Sequence, residues 1–146
     1  MQPVNILLVD DNRMDVELTL DAFQQIRLSN KVYVASDGQI ALDYLFGRNE
    51  YADRATYPFP DLMLLDLKMP GIDGFEVLRQ AKAELPIKLL PIIVLTSSKE
   101  DGDRLMSYDI GANSYLVKPV KFANFVDVVR TIDDYWLTLT LGPPKG

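Results

Sequence analysis

Pro60-Asp61-Leu62-Met63-Leu64-Leu65-Asp66-Leu67-Lys68-Met69-Pro70-Gly71-Ile72-Asp73-Gly74 is the stretch on which the fold turns. The residues from Asp61 to Leu65 form a short apolar run, bounded by a Pro before it and turn chemistry after it, and predict a buried parallel strand. That run stops on a carboxylate, Asp66. Met69-Pro70-Gly71 then reads as a tight turn, with Pro setting φ and Gly allowing φ > 0. Asp73 followed by Glu76 has the form of a capping box that opens a helix. Asp66 therefore falls where a core strand gives way to a helix, which in an open parallel sheet is the edge that meets ligands.

The same alternation extends in both directions. Val4 to Val9 is an apolar run interrupted only by Asn5, and it ends on Asp10-Asp11. A helix is expected from Arg13 to Gln25, burying Val16, Leu20 and Phe23 at helical spacing, with Leu18 off that face. Lys31 to Ala35 predicts an edge strand, since Lys opens it. Ser36-Asp37-Gly38 starts a helix to Leu45 with Ala41 and Leu45 inward. From Gly47 to Pro60 the text changes to a long loop with Tyr51, Tyr57 and Phe59, the kind of loop that often carries binding.

On the other side, Phe75 to Leu85 predicts a helix with Phe75, Leu78, Ala81 and Leu85 in register, stopped by Pro86. Leu89 to Leu95 is the next buried strand and runs into Thr96-Ser97-Ser98. Asp101 to Ile110 predicts a weak helix, with Gly102 inside and Leu105, Met106 and Ile110 as anchors, ended by Gly111. Ser114 to Val117 is a strand that stops on Lys118-Pro119. A last helix from Phe122 carries Phe125, Val126, Val129 and Ile132. Five strands alternating with helices predict a single α/β domain, a doubly wound five-stranded parallel sheet with right-handed crossovers; if its order is the flavodoxin-like 2-1-3-4-5, the switch point falls between the strands that end in Asp10-Asp11 and in Asp66.

Composition narrows the chemistry. The chain has 146 residues, enough for one domain with a real core. It contains no His and no Cys, so thiolate sites, disulfides and the commonest general base are excluded, and any chemistry must run on oxygens. A net charge of −6 argues against a nucleic-acid surface, which would need clustered Lys and Arg. No stretch reads as a membrane span or a signal peptide, so a cytoplasmic place is expected.

Four of the predicted strands stop on polar residues: Asp10-Asp11, Asp66, Thr96 and Lys118. Carboxyl ends of a parallel sheet share one edge, so these side chains face one crevice. Three converging carboxylates repel one another, and without His or Cys the available compensation is a hard cation such as Mg²⁺. Lys118 adds a point charge and Thr96 a hydroxyl, which together suit a phosphoryl group, and Asp66 is a candidate nucleophile that would form an acyl phosphate. Taken singly, each residue has a plainer reading. Asp10-Asp11 could be a helix cap, Asp66 a turn residue, Thr96 a helix start, Lys118 a solvated lysine and Tyr115 a core aromatic. Four such coincidences at successive strand ends favour a site.

The set Asp10-Asp11, Leu64-Leu65-Asp66-Leu67-Lys68-Met69-Pro70-Gly71, Thr96-Ser97 and Lys118-Pro119 resembles the receiver domain of two-component response regulators. The resemblance implies that Asp66 is the phosphoacceptor and that Asp10, Asp11, Asp66 and the backbone carbonyl of Lys68 hold Mg²⁺ or Mn²⁺. It also implies that Lys118 contacts the phosphoryl group, and that Thr96 and Tyr115 form a switch pair. The loop from Gly47 to Pro60 and the tail after Asp134 further resemble the stand-alone regulators of bacterial phytochrome histidine kinases. The implied partners are such a sensor kinase and a downstream phosphotransfer or effector protein, with no nucleic acid and no membrane. Two other classes share parts of the pattern. A haloacid-dehalogenase-type phosphatase also uses an Asp nucleophile with Mg²⁺, but wants an acid where Lys68 stands. A receiver-like interaction module would commonly have lost one of the acids, the Lys or the Thr.

Residues 1–134 are thus expected to form the receiver and 135–146 an extension. In that extension Leu137, Leu139 and Leu141 alternate with Thr138 and Thr140, next to the large surfaces of Tyr135 and Trp136. An exposed apolar strip of this kind is usually covered, and a two-fold homodimer through Phe125, Tyr135, Trp136, Leu137 and Leu139 is the expected cover, the alternative being that the tail packs back on its own domain under Tyr51, Tyr57 and Phe59. Light scattering should give the full chain about twice the mass of a monomer, and should give Trp136→Glu or a chain ending at Asp134 the monomer mass. Equal masses for all three would remove the tail as the interface.

Overall fold

The structure, a computed structural model, describes residues 4–24, 30–97 and 101–118. The Phe23 side chain lies outside the described residues, as does the segment 119–146 with the expected last helix and Phe125, Tyr135, Trp136, Leu137 and Leu139. The described elements are β1 (Val4–Val9), α1 (Arg13–Gln24), β2 (Asn30–Ala35), α2 (Gly38–Leu45), β3 (Leu62–Leu65), α3 (Gly74–Ala83), β4 (Ile92–Thr96), α4 (Asp101–Ile110) and β5 (Ser114–Val117). The strands form one parallel sheet, as the alternation of elements predicts, and its order is the flavodoxin-like β2-β1-β3-β4-β5. The chain reverses its winding between β1 and β3, so a crevice opens there at the carboxyl edge.

Burial explains why the strands read as they do. Every residue of β3 and β4 is buried, because helices cover both faces of a parallel sheet, and continuous apolar runs are the result. β2 lies at an edge, with Lys31 and Val34 exposed, in keeping with the charge that opens it. Asp37 caps α2 by accepting from the Ile40 amide at 2.8 Å, and Asp73 caps α3 by accepting from Glu76 at 3.0 Å.

Three sequence-based expectations need correction. α3 ends at Ala83 and Leu85 is exposed, because Glu84 is already extended and the residue before Pro86 is driven out of the helical region. β4 begins at Ile92, three residues later than expected. The apolar run from Leu89 is split by a 3₁₀ turn at Ile87–Leu89 and by Pro91, and only Ile87 and Leu90 point into the core while Leu89 is exposed. Leu105 and Met106 do not anchor α4, being 70% and 39% exposed; Ile110 packs on the core and Ser107, fully buried, bonds back to the Asp103 carbonyl.

The long loop is internally satisfied. Arg54 donates to the carbonyls of Tyr44 at 2.8 Å, Leu45 at 3.0 Å and Tyr57 at 3.3 Å, closing the C-terminal carbonyls of α2 with a planar fork. The rings of Tyr44, Tyr51 and Tyr57 meet at centroid distances of 4.9 to 6.1 Å, and the Tyr44 hydroxyl donates to the Pro58 carbonyl at 2.8 Å.

α3 and α2 both approach the turn after Asp66 through glycine. A Cβ at Gly74 would fall on the Asp66 carbonyl oxygen and 2.6 Å from the Leu67 Cα, and a Cβ at Gly38 would fall on the Ile72 carbonyl. Backbone cannot yield as a side chain can. Gly74→Ala should therefore destabilise the fold by about 3 kcal/mol, against the roughly 1 kcal/mol gain that Ala ordinarily gives in a helix. Urea unfolding of the two proteins measures the sign.

Candidate functional site

The sheet ladder carries the site residues past the ends of their strands. The Asp10 amide donates to the Ala35 carbonyl at 3.1 Å, that of Asp66 to Val9 at 2.9 Å and that of Lys118 to Thr96 at 2.8 Å. Each side chain thus leaves a backbone already fixed by its neighbour. Asp10 and Asp66 are buried, Thr96 is fully buried and Asp11 is exposed. Carboxylate oxygens of Asp10, Asp11 and Asp66 all lie within 4.8 Å of one another.

The Lys118 ammonium closes the other side of this group. Its Nζ lies 2.7 Å from Asp10 Oδ2, 2.9 Å from Asp15 Oδ2 and 3.4 Å from Asp66 Oδ2. It is a held charge rather than the mobile one that a lysine before Pro suggests, with a side chain only 10% exposed. Asp15, in the first turn of α1, is the site residue that sequence reasoning missed; first-turn acids are so common that its position carried no separate signal.

The other predicted residues surround this centre. Val94 pairs with Tyr115 and Thr96 with Val117 across β4 and β5, so Thr96 and Tyr115 share one face of the sheet on adjacent strands. Tyr115 is half-buried against the core. The Lys68 side chain is turned away from the carboxylates and pairs with Asp103 of α4 at 3.3 Å.

Electrostatics follow from burial. Desolvation pushes the Asp66 carboxyl up to about 6; Lys118 pulls it down, Asp10 pushes it further up, and a hydrogen bond from the Lys68 backbone works with Lys118. For Lys118, burial alone would lower the pKa, but the hydrogen bonds to Asp10 and Asp15 and the charges of Asp66 and Asp10 outweigh it and leave the ammonium more strongly protonated than usual. Four acids, Asp10, Asp11, Asp15 and Asp66, gathered about one lysine are under-compensated. Their all-oxygen donor set, nearly dry on two sides and open at Asp11, fits a hard divalent cation such as Mg²⁺ or Mn²⁺.

A match to the response regulator receiver domain model runs over residues 6–130. The chain belongs to that family. The receiver is 38% identical to the probable methanogenesis regulatory protein FilR2 of Methanothrix harundinacea, over 97% of this chain and 88% of that one. It is 34% identical to the response regulator Rcp1 of Synechocystis, over 95% and 93% of the two chains. Among solved structures, the bacteriophytochrome response regulator AtBRR matches at 42% identity with a TM-score of 0.80, covering 90% of this chain and 94% of that one. The Mn²⁺-bound form of Rcp1 matches at 33% identity and 0.76, covering 92% and 95%. The receiver is thus a two-component signalling protein close to the phytochrome response regulators, as its sequence resemblance implies. Among the described residues no helix is long and apolar enough to cross a membrane.

The raised carboxyl of Asp66 sets a pH signature. Because its folded pKa of about 6 exceeds the ordinary 3.8, the native state binds more protons than the unfolded state between those values. Stability then falls as pH rises through that window. In chelator, the native chain should lose ground against Asp66→Asn as pH rises from about 4 to about 6, and the gap should stay level above that. Melting curves across that range check it, and parallel curves for the two proteins would contradict it.

Proposed function

We propose that this receiver accepts a phosphoryl group on Asp66 from a sensor histidine kinase of the phytochrome class and passes the signal to a downstream phosphotransfer or effector protein. The observation that carries the reading is the placement of the Asp66 carboxylate, buried, with Asp10 and Asp11 oxygens within 4.8 Å and the Lys118 ammonium at 3.4 Å. A carboxylate so placed is a nucleophile with the Lys118 ammonium beside it and an acidic cluster that would hold a divalent cation, the two charges that a transferring phosphoryl group needs. In the step, an Asp66 oxygen bonds to phosphorus, the bond from phosphorus to the kinase histidine nitrogen breaks, and the electron pair leaves with the imidazole.

Asp10, Asp11, Asp66 and the backbone carbonyl of Lys68 would hold Mg²⁺ or Mn²⁺, which supplies charge neutralisation for the phosphoryl oxygens. Lys118 binds a phosphoryl oxygen directly. Thr96 then offers its hydroxyl to the phosphoryl group, and Tyr115, on the same sheet face, turns into the space this leaves. The named phytochrome regulators among its relatives support the kinase class, and the Mn²⁺-bound relative supports the cation. Self-phosphorylation and self-dephosphorylation are the only turnover expected, because the position where a dehalogenase-type phosphatase carries its second acid is Lys68. The protein works in the cytoplasm as a homodimer through Phe125, Tyr135, Trp136, Leu137 and Leu139.

Incubation with acetyl phosphate and Mg²⁺, followed by intact mass, should show one labile phosphoryl adduct on the native chain and none on Asp66→Asn. Mg²⁺ at about 100 times its dissociation constant should stabilise the native chain by roughly 2.7 kcal/mol, and Asp11→Ala should lose most of that gain. An unmodified native mass would overturn the phosphoacceptor reading.

A further inference from the structure

We infer that Asp15 is a positioning residue for phosphoryl transfer, which together with Asp10 orients the Lys118 ammonium toward Asp66; the inference rests on Asp66 being the phosphoacceptor. An ammonium has three N–H donors. Two of them are taken at short, charge-assisted distances, 2.7 Å to Asp10 and 2.9 Å to Asp15, while Asp66 stands off at 3.4 Å. Two short bonds fix both the place and the rotation of the group, and the remaining N–H is directed to the side where Asp66 lies. With Asp10 alone, a four-carbon stem would leave the ammonium free to turn about a single bond.

The backbone behind Asp15 is built to hold that position. The Asn12 amide donates to Asp10 Oδ1 at 2.9 Å, the Asn12 side chain accepts from the Asp15 amide at 3.0 Å, and the Asn12 carbonyl accepts from Val16 at 3.0 Å. Thr19, buried, donates its hydroxyl to the Asp15 carbonyl at 2.9 Å. The first turn of α1 is therefore tied to the very carboxylate that shares Lys118 with Asp15. Asp15 is half-buried, and its carboxylate pairs with Lys118.

Charge and position make opposite demands, which gives the test its sign. As a negative charge near the site, Asp15 repels an anionic phosphoryl donor, and by charge alone its removal would speed the reaction. As a positioning group, its removal slows it. The initial rate of adduct formation on the full chain, with acetyl phosphate and saturating Mg²⁺, is read by intact mass for native, Asp15→Ala and Asp15→Asn. Asp15→Ala should be slower by on the order of tenfold, with the loss in kcat rather than in KM. Asp15→Asn, which keeps an acceptor oxygen, should recover most of the rate. In a Lys118→Met background, adding Asp15→Ala should cost nothing further, because the group to be positioned is gone. An Asp15→Ala rate equal to or above native would overturn the inference, as would an equal loss with and without Lys118. A native chain that takes no adduct would overturn the phosphoacceptor reading instead, and this inference with it.

Discussion

A carboxylate kept almost out of water at the end of a central strand is the constraint around which this protein is arranged. Asp66 follows four buried apolar residues, and its amide is bonded to the neighbouring strand, so its side chain cannot retreat to solvent. Its negative charge must then be met where it stands. Lys118 meets part of it from β5, and the same ammonium must also serve Asp10 and Asp15. One lysine for so many acids leaves a deficit of positive charge, and that deficit is what makes the crevice a place for a cation and a phosphoryl group.

The elements around Asp66 are held by contacts that tolerate little change. α3 begins so close to the Asp66 and Leu67 backbone that only glycine fits at Gly74, and α2 meets the following turn at Gly38 in the same way. The Gly74 amide donates to the Leu67 carbonyl at 2.9 Å, fastening the helix to the loop that carries the nucleophile. By contrast, α4 presents Leu105, Met106 and Tyr108 outward and is joined to the loop after Asp66 by the exposed Lys68 paired with Asp103. The site therefore has a rigid side at α3 and a more lightly attached side at α4, next to Thr96. Local stability of this uneven kind is what a conformational response to chemistry at Asp66 would use.

Legibility from sequence followed the strength of the underlying physics. Strands buried on both faces leave continuous apolar runs, so β1 and β3 were evident, and the polar residue ending each run marked Asp10, Asp66, Thr96 and Lys118 in advance. Capping chemistry is local, which is why Asp37 and Asp73 were found where they act. The errors occurred where an apolar residue had to be assigned a side without knowing its neighbour. Leu85 and Leu89 flank Pro86 in a turn that throws both outward, and Leu105 and Met106 sit on a helix whose inner face is short. Arg54, in the loop between α2 and β3, carries no sequence signal of its own, yet it closes the carbonyls of α2 and bonds to the Tyr57 carbonyl in the aromatic loop.

The sequence by itself determined the alternation of elements, the parallel sheet, and the set of oxygens and the one lysine that could meet at its edge, because periodicity, capping and strand ends are written within a few residues of one another. Only the tertiary structure decided how the charges are shared. Asp15 and Lys118 are far apart in the chain, and the 2.9 Å between their charged ends arises only when the sheet brings the first turn of α1, just after β1, and the end of β5 to one carboxyl edge. A first-turn acid and a lysine before Pro are individually unremarkable; folding places them together where the lysine is nearly shut off from water, and there each charge acquires its role from the others.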